Sequence, residues 1–218
     1  MYFSDDVSKE MRELYSNLCP VATILQLNLT NYPKYVQDLK QYRFKPIYET
    51  LTLKLHKAIL NIDTSIRFSK DANFKDFIKQ GVKRNPTDVT LLSPANHNLF
   101  STIHPSMFNF FPSINQQTLI NIEQYQGGLG LWISSEKSWK IMKRLVECAL
   151  HPNCMGPSGS TSDCDYGRIK KYPNKFSGCH RFDQAAINLI LYQASNYTPS
   201  LYQWNHPGFI TDKSSKLF

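Results

Sequence analysis

Four of the five cysteines, Cys148, Cys154, Cys164 and Cys179, fall in one Gly/Pro/Ser-rich and basic stretch, residues 148–179. So long a stretch without regular structure is uncommon inside a compact domain, and cross-links give a reason for one to exist. Clustered cysteines mean disulfides or a metal. Zinc usually takes cysteine pairs two to four residues apart, whereas the gaps here are five, nine and fourteen. The spacing therefore favours disulfides. Four cysteines allow three pairings. Loops local in sequence close most cheaply, so Cys148–Cys154 and Cys164–Cys179 are expected, with Cys19 standing apart. Two glycosylation sequons, Asn28-Leu29-Thr30 and Asn196-Tyr197-Thr198, fit the same oxidising setting. Pro199 makes the second a poor acceptor. No signal peptide or transmembrane run is visible. Either the chain is cytosolic with reduced thiols, or it is a fragment that has lost an N-terminal anchor.

A chain of 218 residues with 41% apolar content is expected to form one domain, 1–218, with 148–179 as its Cys-rich loop region. The formal charge of +8 favours anionic partners without choosing among them. Apolar periodicity predicts helices over Ser8–Asn17, Tyr35–Gln41, Ile47–Leu55, Phe74–Gln80, Glu136–Ala149 and Gln184–Gln193. Ser135 is the expected N-cap of the fifth, and Gly81 the expected stop of the fourth. Strands are predicted over Val21–Leu29, Ala58–Ile62, Val89–Leu92, Asn98–Thr102 and Leu129–Ile133, with Leu119–Gln126 weakly helical or loop. Helices alternating with short strands read as an α/β protein with a mostly parallel sheet.

Candidate chemistry collects at strand and helix ends. The strand Ala58–Ile62 runs into Asp63-Thr64-Ser65-Ile66-Arg67. At the end of a central α/β strand, an acid can hold a divalent cation and an arginine can take a phosphate bidentately. The plain alternative is an aspartate capping a turn. Tyr42-Arg43-Phe44-Lys45-Pro46 places two cations among aromatics before a helix. It reads as a phosphate or base-ring contact, or as a solvated lead-in. Cys179-His180-Arg181-Phe182-Asp183-Gln184 opens the last helix, where an aspartate is an N-cap or part of an anion site. Glu123 precedes Gly127-Gly128, a turn or a close backbone approach to a ligand. The basic residues from Arg168 to Arg181 lack a groove-reading pattern and read as a solvated, disulfide-tied loop rather than a nucleic-acid surface.

In this order, Tyr32-Pro33, Tyr35-Val36, Asp38-Leu39, Tyr42–Pro46, Asp63–Phe68, Thr102-Ile103-His104-Pro105, Cys148-Ala149-Leu150, Cys154, Cys164 and Cys179–Gln184 resemble an invertebrate family described as nucleotide-diphospho-sugar transferase-like. The resemblance spans about Tyr2 to Leu191. It implies the GT-A glycosyltransferase fold, a Rossmann-type sandwich with a mixed, mostly parallel sheet. Asp63, with Ser65, would stand at the acidic metal motif for Mn or Mg, although a serine there departs from the usual acid pair. Lys45, Arg43, Arg67 and Arg181 would offset the diphosphate of a nucleotide-sugar donor. Asp183 and Gln184 would form the acid–glutamine pair near the donor sugar. The acceptor would be a glycan or a protein. The resemblance also implies further strands ahead of Tyr2, an N-terminal membrane anchor outside this chain, and a place in the Golgi or ER lumen. The competing expectation is a truncated or inactive relative with a binding or structural role.

Overall fold

The computed structural model describes residues 2–4, 7–70, 72–84 and 87–211. Met1, Asp5-Asp6, Asp71, Asn85-Pro86 and 212–218, which belong to the expected domain, lie outside the described residues. In chain order the elements are β1 (Tyr2–Ser4), α1 (Lys9–Leu18), β2 (Leu25–Leu27), α2 (Phe44–Leu55), β3 (Ala58–Ile62), β4 (Ile66–Phe68), α3 (Phe74–Arg84), β5 (Val89–Leu91), β6 (Pro94–Asn98), β7 (Glu123–Tyr125), β8 (Leu129–Ile133), α4 (Glu136–Leu150), α5 (Tyr166–Lys171), α6 (Phe182–Ala194) and β9 (Phe209–Thr211).

The central sheet has the order β3-β8-β5, and both pairings are antiparallel. This corrects the mostly parallel sheet expected from the helix–strand alternation. Two antiparallel pairings to one strand make β3 and β5 run the same way, as a crossover through α3 requires. The late strand β8 then inserts between them, so β3 and β5 do not pair with each other in parallel. Of the two-stranded pairs, β4–β9 and β6–β7 are antiparallel and β1–β2 is parallel.

The period of two along β8 divides the core. Leu129 and Leu131 face a cluster with Ile66, Phe77 and Leu92. Trp132 faces the larger cluster, where α4 and α6 contribute Met142, Leu145, Ala149, Ile187 and Ile190. Ser135 caps α4 in a capping box with Ser138. Helix α3 does not stop at Gly81, because the glycine serves packing. A Cβ there would meet the Leu131 side chain at 2.5 Å. Several polar runs form turns instead of the expected elements. Asp38 caps a 3-10 turn over Leu39–Gln41, and Asn98 accepts from the Ser101 amide to turn the chain into another over Phe100–Thr102. Residues 119–126 split into the end of a 3-10 turn, Gln116–Asn121, and β7. Of the Val21–Leu29 run, Leu25–Leu27 is the part with a strand partner among the described residues.

The 148–179 region is tied by Cys148–Cys154 and Cys164–Cys179, and Cys19 is free. It holds one short helix, α5, whose Arg168, Lys170 and Lys171 lie in the last turn, where cations suit the helix dipole. Arg43 is fully buried against this region. Its guanidinium donates to the carbonyls of Ala149, His151, Pro152 and Gly156 and to Gln41 Oε1, at 2.7–3.0 Å. Two of those carbonyls belong to the end of α4, where helix carbonyls lack intrahelical donors. The expected diphosphate role of Arg43 is therefore corrected: it is a structural clamp. Arg43→Met should lower stability by at least about 3 kcal/mol, because several buried acceptors lose their donor. Arg43→Lys should recover less than about half of that loss, since an ammonium cannot reproduce the planar fork. Urea unfolding checks both.

Candidate functional site

Alternation along β3 carries past its end, so Asn61 and Asp63 face α2 while Leu60 faces the other cluster. On α2, Lys45 and Glu49 lie one turn apart on the buried side. Asp183 enters from the first turn of α6. The three elements meet at the Lys45 ammonium. Its Nζ lies 2.9 Å from Asp63 Oδ1, 3.0 Å from Asp63 Oδ2 and 3.2 Å from Asp183 Oδ2. The Lys45 side chain is 8% exposed, that of Asp183 13% and that of Asp63 38%. The Tyr42 ring covers the ammonium from 4.8 Å.

The glycine pair between β7 and β8 makes this convergence possible. A Cβ at Gly128 would overlap the Asp63 carboxylate, and one at Gly127 would crowd Asp183 and the Gln184 backbone. The close approach foreseen for Gly127-Gly128 is to the site's own acids. Gly128 also accepts the Asp63 amide at 2.7 Å, which holds Asp63 in line with the sheet. Behind the ammonium, Tyr48 donates to Asn61 Oδ1 at 2.7 Å, beside the buried Glu49. Glu49 is a part of the site that sequence reasoning missed. Its signal was the buried i,i+4 spacing from Lys45.

The triad forms part of the wall of an open cavity of about 580 Å³, to which Ser65, Arg181 and Gln184 also contribute. Gln184 is 5% exposed, and its Nε2 has no hydrogen-bond partner among the described residues. Arg181 Nε is likewise buried without a partner among those residues. Of the expected site residues, Lys45, Asp63, Ser65, Arg181, Asp183 and Gln184 are brought together. Arg43 and Arg67 are not. The Arg67 guanidinium turns back on its own strand, donating to Thr64 O at 2.6 Å and Ile66 O at 3.1 Å. His180 lies beneath the cleft, accepting the His104 amide at Nδ1 and pairing Nε2 with Met155 O at 2.9 Å. The donor at Nδ1 makes Nε2 the protonated nitrogen.

Burial works against the Lys45 ammonium, but Asp183 and Asp63 outweigh it and raise its pKa. Burial raises the Asp183 carboxyl more than Lys45 lowers it, with Asp63 adding to the rise. Burial pushes Glu49 up to about 8 and His180 down to about 4. The donor set does not fit a divalent cation. Both oxygens of Asp63 already face the ammonium, and Ser65 is neutral. Among the described residues, no group of three or more His, Cys, Asp or Glu side chains is placed to hold a metal.

No family model matches the chain, and no curated protein matches it. Among solved structures, the apo form of mouse xyloside xylosyltransferase 1 is similar, at 11% identity and a TM-score of 0.45, over 94% of this chain and 70% of that one. The chain itself is a mixed α/β protein by its own elements. At that identity and TM-score, the likeness bears on neither the site nor its chemistry.

Glu49 gives the site a pH signature. Between pH 6.5 and 8 the unfolded Glu49 is ionised while the folded carboxyl keeps its proton, so stability falls as pH rises. His180 acts in the opposite direction, but only below its ordinary value of 6.5. The Glu49 contribution should amount to about 2 kcal/mol across that window and level off above it. Glu49→Gln should remove it, as urea unfolding at stepped pH would show.

Proposed function

We propose that the cleft binds a nucleotide-sugar donor and transfers its sugar to a glycan or protein acceptor. The observation that carries this reading is the convergence of Lys45, Asp63 and Asp183 on one cavity with Gln184 Nε2, which has no hydrogen-bond partner among the described residues. A cavity of about 580 Å³ falls within the usual range for small-molecule sites. Asp183 and Gln184 offer an acceptor and a donor to sugar hydroxyls at the first turn of a helix. Arg181 makes no ion pair among the described residues and offers its planar fork to a phosphate. The resemblance to nucleotide-diphospho-sugar transferase-like proteins agrees with these roles, and with it comes a secretory-pathway location. Two disulfides are compatible with that location, and among the described residues no helix is long and apolar enough to cross a membrane.

A second reading, glycan binding without turnover, is favoured by one feature. The two carboxylates balance Lys45 and Arg181, which leaves the cleft little net charge with which to attract a diphosphate. Calorimetry separates the two. Binding from a panel of nucleotide sugars supports the donor reading, and binding of neutral oligosaccharides alone supports the second.

Asp63→Ala should abolish nucleotide-sugar turnover and leave the protein folded, because Lys45 retains its buried partner Asp183. Turnover and circular dichroism are measured on the same preparation. Unchanged turnover would remove Asp63 from the site.

A further inference from the structure

We propose that the Lys45 ammonium is the site's built-in cation, filling the position between Asp63 and Asp183 so that an anionic ligand binds without a divalent metal. The clause about the ligand rests on the donor reading above. The clause about the cation rests on geometry alone.

A lysine ammonium has three N–H donors. Here three carboxylate oxygens lie within 3.2 Å of it: both of Asp63 and one of Asp183. The nitrogen therefore sits in the mouth of the Asp63 carboxylate, where a cation would be chelated. It is also a fixed occupant. Lys45 is the second residue of α2, its side chain is nearly buried, and the Tyr42 ring lies over the charge. A divalent ion would have to share the carboxylates with a positive charge at contact distance, or expel Lys45 from its only two ion-pair partners among the described residues. Ser65 is where a second acid would strengthen the hold on a metal, and a hydroxyl is a weak neutral ligand. Glu49, one turn behind, is buried away from the cleft wall.

The arrangement has a chemical consequence. The ammonium with its two carboxylates carries a net negative charge, so it does not itself neutralise a diphosphate. That task falls to Arg181 on the same cleft. Lys45 instead keeps two acids from repelling each other and the ligand, which is part of what a metal would do there.

Manganese titration of the full chain, followed by the paramagnetic resonance of free Mn²⁺, tests the seat itself. Wild type should leave the Mn²⁺ signal unchanged. Lys45→Met should create one Mn²⁺ site, and Lys45→Met with Asp63→Asn should remove it. One Mn²⁺ bound by wild type and lost in Asp63→Asn overturns the proposal, and this arm needs no Lys45 variant to fold. A folded Lys45→Met that takes up no Mn²⁺ overturns it too. Calorimetry with nucleoside diphosphates then tests the ligand. Affinity in EDTA should stay within about two-fold of affinity in Mn²⁺, and a gain of about ten-fold or more with Mn²⁺ counts against the proposal. If no nucleoside diphosphate binds under either condition, the donor reading fails, while the manganese titration still decides the cation.

Discussion

The ion pair of Lys45 with Asp63 and Asp183 joins the start of α2, the end of β3 and the start of α6. No two of these elements are adjacent across the site by hydrogen-bonded pairing, so side chains must hold them in register. A nearly buried charge left without a partner is costly, which makes each member of the triad depend on the others. The remaining architecture follows from that demand. Gly127 and Gly128 let a turn lie against both acids, and Gly128 holds Asp63 in line with β8. Asn61 and Tyr48 add neutral polar support from the next positions along strand and helix.

A second set of constraints fixes the approach to α6. Arg43 satisfies carbonyls at the end of α4, and Cys148–Cys154 closes the loop beyond it. Cys164–Cys179 then holds the chain just ahead of His180. His180 has backbone partners on both nitrogens, and burial pushes its pKa down to about 4, so it serves as a buried strut. Phe182 starts α6 with a positive φ of 28°, a backbone state disfavoured for a bulky residue. Strain of this kind persists where surroundings over-determine it and collects at functional sites. Here it lies next to Asp183, the residue that turns into the cleft.

Much of the candidate site was legible because it lies at element boundaries. An apolar run ending in Asp63, an acid in the first turn of the last helix and a lysine ahead of a helical stretch are local signals. The use to which the charges are put was not legible. Arg43 and Lys45 are two residues apart in one motif, yet one clamps carbonyls and the other binds carboxylates. Arg67 follows Asp63 closely, but its guanidinium returns to the adjacent turn. Side-chain direction settles these fates, and direction depends on which element packs opposite.

The same division holds for the whole chain. Sequence alone determined what is local: the helical faces, the Ser135 cap, the strand ending at Asp63 and the pairing of cysteines across their shortest loops. Each follows from propensity, periodicity or loop entropy within a few residues. Only the tertiary structure decided the antiparallel insertion of β8, the packing role of Gly81 and the burial of Glu49. It also decided that two acids distant in sequence would share one ammonium. Each of those outcomes is a contact between segments whose approach is set by the shape of the common core, and no window along the chain contains both partners.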